Sequence, residues 1–132
     1  VSRASFLNLS GARALPLIRQ VEAAECGLAC LAMVAAYHGQ ETPLSSLRQR
    51  FSLSMKGATL KSLVEIAAGM GMGSRAIRAE LEELKDIRAP AVLHWDLNHF
   101  VVLKRVAKDW IEVHDPALGV RRVAMREVSK SF

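Results

Sequence analysis

Residues 28–37 read Leu-Ala-Cys-Leu-Ala-Met-Val-Ala-Ala-Tyr, a run with no strongly polar position. A helix made from it has no water-loving face and must be surrounded by protein, yet it is far too short to cross a bilayer. The pattern predicts a buried central helix over Cys26–Tyr37, with Gly39 placed to cap its C-terminus. Residues 1–19 mix apolar and basic positions without a period, are interrupted by Gly11 and Pro16, and read as an N-terminal arm. Downstream, Thr42-Pro43 supplies a cap and a first-turn proline for a second helix to about Gln49, with Leu44 and Leu47 inward. A third helix is expected from about Thr59, where Leu60, Leu63, Val64 and Ala67 keep helical spacing until Gly69 and Gly71.

After Gly73 the pattern changes. Residues 74–79 are short and alternating, and residues 80–84 make one or two helical turns before Pro90. Residues 91–95, 98–106, 110–115 and 120–125 then carry β-branched or aromatic side chains between turn signals such as Asp96 and Asp115-Pro116, and read as strands. The tail from Arg126 closes as a short helix. Helices first and an antiparallel sheet second is an α+β layout. With no internal repeat, low-complexity tract or linker, residues 1–132 are expected to form one domain.

Composition narrows this picture. A chain of 132 residues that is 51% hydrophobic can build a core without disulfides or metal staples. Its two cysteines, Cys26 and Cys30, are too few for a disulfide framework or a four-ligand zinc site and fit a reducing compartment. No stretch reads as a signal peptide or reaches transmembrane length, so a soluble piece is expected, cut from something larger since Ser131-Phe132 offers no natural stop. The balance of 18 Lys+Arg against 13 Asp+Glu gives +5. These basic residues are scattered singly or in pairs (Arg48 and Arg50, Lys104-Arg105, Arg121-Arg122) among only 5% aromatics, which argues against nucleic acid. The charge is compatible with anionic headgroups or an acidic peptide. No Gly-rich loop with Gly-Lys-Ser/Thr occurs, and no cofactor or metal is expected.

The chemistry starts where the central helix does. A thiol at a helix N-terminus feels the positive end of the dipole and unpaired N–H groups, both of which favour thiolate, so Cys26 can be a nucleophile. It needs a base and a group to orient that base. His99 shares a strand face with Val101 and Leu103, and Asp115 shares one with Ile111 and Val113. A hairpin around Val106-Ala107-Lys108 then sets Leu103 opposite Ile111, Val101 opposite Val113, and His99 opposite Asp115. A slip by one residue would set the apolar positions against Glu112 and His114, which a half-buried sheet disfavours. Opposed residues have Cβ atoms about 4.5–5.5 Å apart, within reach of a carboxylate–imidazole bond. His38, His94 and His114 lack such a partner and read as surface or packing residues, and Cys30 reads as structural. On spacing alone, a buried unreactive Cys26 is the alternative.

Several motifs together resemble a known family. Gln20, then after four residues Glu-Cys-Gly-Leu-Ala-Cys-Leu-Ala-Met-Val and Tyr37-His38-Gly39, resembles the bacteriocin-processing endopeptidases, which are papain-like. The likeness continues through Arg48-Gln49-Arg50-Phe51, Gly57-Ala58-Thr59-Leu60, His94-Trp95, Asn98-His99-Phe100-Val101-Val102 and His114-Asp115-Pro116. It is similar to the N-terminal peptidase domain of colicin-V-type ABC exporters, which removes double-glycine leaders from peptide precursors on export.

The resemblance implies Cys26 as nucleophile, His99 as general base and acid, Asp115 as orienting carboxylate, and Gln20 with the Cys26 backbone N–H as oxyanion hole. It implies as partners a precursor's leader peptide and the exporter's transmembrane and nucleotide-binding domains, at the cytoplasmic side of the bacterial inner membrane. Two glycines before the cut let a leader pass a constriction that any Cβ would block. An apolar leader helix upstream needs a groove, for which the second and third helices offer exposed apolar residues. A non-catalytic leader-docking domain is the alternative, against which the retained Cys26, His99 and Asp115 argue. A papain-like transferase using the same triad is a third reading.

Overall fold

A computed structural model describes residues 14–51, 57–96 and 98–132. A 3-10 turn at Ala23–Glu25 leads into helix α1 (Cys26–Tyr37), followed by α2 (Leu44–Arg50) and α3 (Leu60–Gly69). A 3-10 segment at Leu81–Asp86 precedes β1 (Ala91–Trp95), β2 (His99–Val106), β3 (Trp110–Asp115) and β4 (Gly119–Ala124), and α4 (Met125–Ser131) ends the chain. The strands form one antiparallel sheet in the order β1-β2-β3-β4. Helices packed on a C-terminal antiparallel sheet is the α+β layout expected.

The central helix forms where its apolar run lies, and Cys26 through Met33 are all buried. Gly39 follows it with φ 93°, the left-handed conformation that ends a helix at little steric cost in glycine. Gly27 is small for a different reason. A Cβ there would meet Leu63 Cδ2 at 2.8 Å and Ala58 Cβ at 3.3 Å, so its absence lets α3 approach the first turn of α1. The third helix begins where expected, with Thr59 as its cap, accepting from the Ser62 N–H at 3.1 Å while Ser62 Oγ accepts from the Thr59 N–H at 2.8 Å. At α2 the cap is Pro43 itself, in extended conformation, so Thr42 lies outside the helix. Residues 74–79 are not a strand: they carry no regular structure and are mostly exposed.

The arm reading falls largely on residues 1–13, outside the described residues. Its described part is docked: Leu15 is buried, His114 Nδ1 donates to the Pro16 carbonyl (2.8 Å), and the Gln20 N–H donates to the Pro116 carbonyl (3.0 Å).

Strand β2 serves two cores. Phe100 and Val102 join Leu28, Leu31, Leu47 and Leu63 on the helical side. Val101 and Leu103 join Leu84, Leu93, Ile111, Val113 and Val128 on the other. Each such side chain, fully buried, contributes about 1.5–3 kcal/mol of hydrophobic stabilisation. The sheet is therefore covered on both faces, not half-buried as expected, because Leu84 of the 3-10 segment and Val128 of α4 close the second face.

The hairpin register also differs. At its root Val102 pairs with His114 and Leu103 with Val113, while towards the tip Arg105 pairs with Glu112 and Val106 with Ile111. A β-bulge at Lys104 accounts for the change. His99 and Asp115 are thus not directly opposed: continuing the root register sets Asp115 level with Val101, two residues from His99.

Among the described residues, no helix is long and apolar enough to cross a membrane.

Candidate active site

Three elements converge by their ends. Cys26 is the first residue of α1, His99 the first of β2 and Asp115 the last of β3. Although diagonal in register, His99 Nε2 lies 2.7 Å from Asp115 Oδ1. Two residues along a strand share a face, so the shift of two leaves both side chains on the side from which sequence parity paired them. Asp115 is 1% exposed, and its Oδ1 also accepts from the N–H groups of Ala117 (2.8 Å) and Leu118 (3.2 Å). Arg121 Nη1 stands 3.6 Å from Oδ2. Burial pushes the Asp115 carboxyl up, but the His99 hydrogen bond and the two backbone donors outweigh it and hold the group below its usual range.

With Nε2 committed to Asp115, Nδ1 is the imidazole nitrogen left for the hydrogen bond with Cys26. The Asp115 bond first, and the Cys26 bond second, raise the His99 pKa to about 9. Burial pushes the Cys26 thiol up, yet the hydrogen bond with His99 and backbone contacts at Phe100 and Gly27 bring it below its usual value. Opposite shifts in two touching groups favour thiolate beside imidazolium, a nucleophile next to a proton donor.

Cys30, one turn on, is fully buried, and burial holds its thiol well above the ordinary value. Brief treatment with iodoacetamide at neutral pH should therefore alkylate Cys26 far faster than Cys30. The Cys26 reaction should persist as pH falls below the ordinary thiol value of 9.0, because its thiolate survives there. Peptide mapping reads both sites, and preferential labelling of Cys30 would overturn the assignment. Cys30→Ser should retain activity.

Gln20 sits in the loop ahead of the 3-10 turn. Its Nε2 donates to the carbonyls of Glu22 and Ala23 (3.3 Å each), and its buried Oε1 has no hydrogen-bond partner among the described residues. Elsewhere, His38 and His94 are exposed, His94 stacking on Phe100 with centroids 4.9 Å apart. His114 is a buried packing residue tied to Pro16.

The residue before the thiol, though part of the motif, had no role in the sequence reading. Glu25 is buried and forms a two-pronged ion pair with Arg48 of α2 through Nε and Nη2. Its Oε1 also accepts from the N–H groups of Val21 (3.1 Å) and Glu22 (3.0 Å). Hydrogen bonding by Arg48, opposed by burial and aided by these backbone donors, lowers the Glu25 pKa to about 2. The available signal was an acidic residue at the mouth of an all-apolar helix, where burial demands a partner.

An apolar groove of about 410 Å³ runs along the far half of α1, lined by Leu31 and Val34 of α1, Leu60 and Val64 of α3, and Ile77 and Val92. Of the two helices expected to offer a groove, the third lines this one.

The family model described as Peptidase C39 family matches residues 14–132. The colicin V secretion/processing ATP-binding protein CvaB of Escherichia coli is 45% identical over 128 residues, 97% of this chain and 18% of that protein. The chain thus spans under a fifth of that relative's length. A double glycine motif protease from an AMS/PCAT transporter, crystallised with the leader peptide, superposes with a TM-score of 0.84 at 37% identity, covering 91% of this chain and 86% of that one. The peptidase domain of Streptococcus ComA, a bi-functional ABC transporter involved in quorum sensing, gives 0.80 at 26% identity, covering 89% and 91%.

Proposed function

Since the chain belongs to the peptidase C39 family, we propose that it is a papain-like cysteine endopeptidase domain of a larger ABC exporter, cutting double-glycine leaders from bacteriocin-like precursors. The observation that carries this is the 2.7 Å His99–Asp115 bond beside a thiol that opens a buried helix. The Cys26 thiolate attacks the carbonyl carbon of the second glycine, and the His99 imidazolium gives its proton to the departing amine nitrogen. The thioester left on Cys26 is cleared when His99 takes a proton from water and the hydroxide attacks, returning the thiolate. Asp115 fixes the ring so that Nδ1 faces the sulfur. The Cys26 N–H and the Gln20 amide stabilise the oxyanion. To serve there, Gln20 Nε2 exchanges one of its long bonds to the Glu22 and Ala23 carbonyls, 3.3 Å each, for one to the oxyanion.

Leader recognition is assigned to the apolar groove. His38, one of its lining residues, is twelve residues beyond Cys26, which along a helix is about 18 Å. A few extended leader residues cover that distance, so glycines at the thiol and an amphipathic helix in the groove can be held together. The relatives' names and the leader-bound neighbour support a leader peptide as the ligand. The exporter's transmembrane and nucleotide-binding domains are the corresponding partners, and the cytoplasmic face of the inner membrane is the corresponding place.

Incubation of the chain with a double-glycine leader peptide, followed by mass spectrometry, should yield two products divided after the second glycine. Valine at the penultimate position should block the cut, since a branched Cβ does not pass the constriction. Binding without products would leave the docking-domain reading, and acyl transfer to an added amine would favour a transferase.

A further inference from the structure

Four hydrogen bonds meet on one buried carboxylate directly before the thiol. Glu25 accepts from the backbone of Val21 and Glu22 and from both prongs of Arg48. The two backbone donors follow Gln20 in sequence, and the Gln20 amide bonds to Glu22 and Ala23 within the same loop. Glu25 thereby ties the Gln20–Cys26 connection into a closed ring, and Arg48, reaching from α2, ties that ring to the helical layer.

We propose that the Glu25–Arg48 pair is a positioning device for the reaction, holding the Gln20 loop so that its amide meets the oxyanion at Cys26. Neither residue touches substrate; both act through the loop. A carboxylate suits this work because its two oxygens serve the backbone and the guanidinium at once, which an amide cannot do without turning a donor towards Arg48. The inference rests on the peptidase reading above.

The test separates loop position from thiolate formation. Attack on a peptide carbonyl needs the oxyanion site, whereas alkylation by iodoacetamide needs only the thiolate. Glu25→Gln and Arg48→Gln should each lower kcat on the double-glycine peptide about 10²-fold, with KM, the iodoacetamide rate at Cys26 and its pH dependence unchanged. The double variant should be no worse than either single, since the two act as one unit. Should Glu25→Gln fail to fold, the half-exposed Arg48→Gln carries the test. Alkylation falling in step with kcat would show a thiolate effect and overturn the proposal, as would additive losses or a kcat near that of the parent. The parent chain on the same peptide is the control. If the parent does not cut, the peptidase reading fails and takes the inference with it; if parent and variants cut alike, the inference alone fails.

Discussion

Cys26→Ala should abolish cleavage of a double-glycine leader yet leave its affinity within about tenfold of the parent, roughly 1.4 kcal/mol. Cys26 is only 5% exposed and offers a substrate little area, while the groove lies along the far half of α1. The thiol's contribution is concentrated in the reacting complex, and binding energy shared by ground and transition states comes from elsewhere. Calorimetry on the variant, beside mass spectrometry with the parent, measures both parts. Residual cutting by Cys26→Ala would remove it as nucleophile, and a large fall in affinity would relocate the leader onto the thiol.

His99→Ala should lower kcat by about 10³-fold or more, since it removes both the proton donor and the partner that holds the thiolate. Asp115→Asn should cost less. An asparagine carbonyl can still accept from Ala117 and Leu118, and the side chain still reaches the ring. What is lost is charge, and pH reveals it. With His99 raised to about 9, the imidazolium is present below that value, and activity should decline as pH rises through it. In Asp115→Asn the decline should move towards the ordinary histidine value of 6.5, because the Asp115 bond is the largest cause of the shift. His94→Ala, at an exposed ring, should leave turnover nearly unchanged. His114→Ala should lower thermal stability by releasing Pro16, with kcat little affected. An unmoved alkaline limb would deny Asp115 its role, and a His94→Ala loss equal to that of His99→Ala would misplace the base.

Local pattern carried much of this architecture. The apolar run, Gly39 and the helical spacing after Thr59 defined helices that the structure keeps, and parity along two strands brought His99 and Asp115 to one side. Parity survives a displacement of two, which is why the pair was legible although the register was not. The bulge at Lys104 leaves no clear mark in the sequence, since Lys104 and Arg105 read as an ordinary exposed strand end. Burial of both sheet faces was hidden for another reason: Leu84 and Val128 reach it from short helical segments at the two sequence ends of the sheet. The Glu25–Arg48 contact joins residues 23 apart on different elements, and no local rule pairs them. For Gln20, resemblance alone supplied a role.

The bulge has an evolutionary reading. On its other flank β2 is matched to β1 without interruption, from Ala91↔Leu103 to Trp95↔His99. The histidine end of β2 thus takes its phase from β1, whereas the tip around residues 107–109 belongs to a separate stretch of ladder beyond Lys104. A residue gained or lost at that tip can be absorbed as slack at the bulge without turning the imidazole from the thiol. Selection acting on His99 therefore leaves the hairpin tip free to drift, or to be recruited for contacts that the cleavage chemistry never senses.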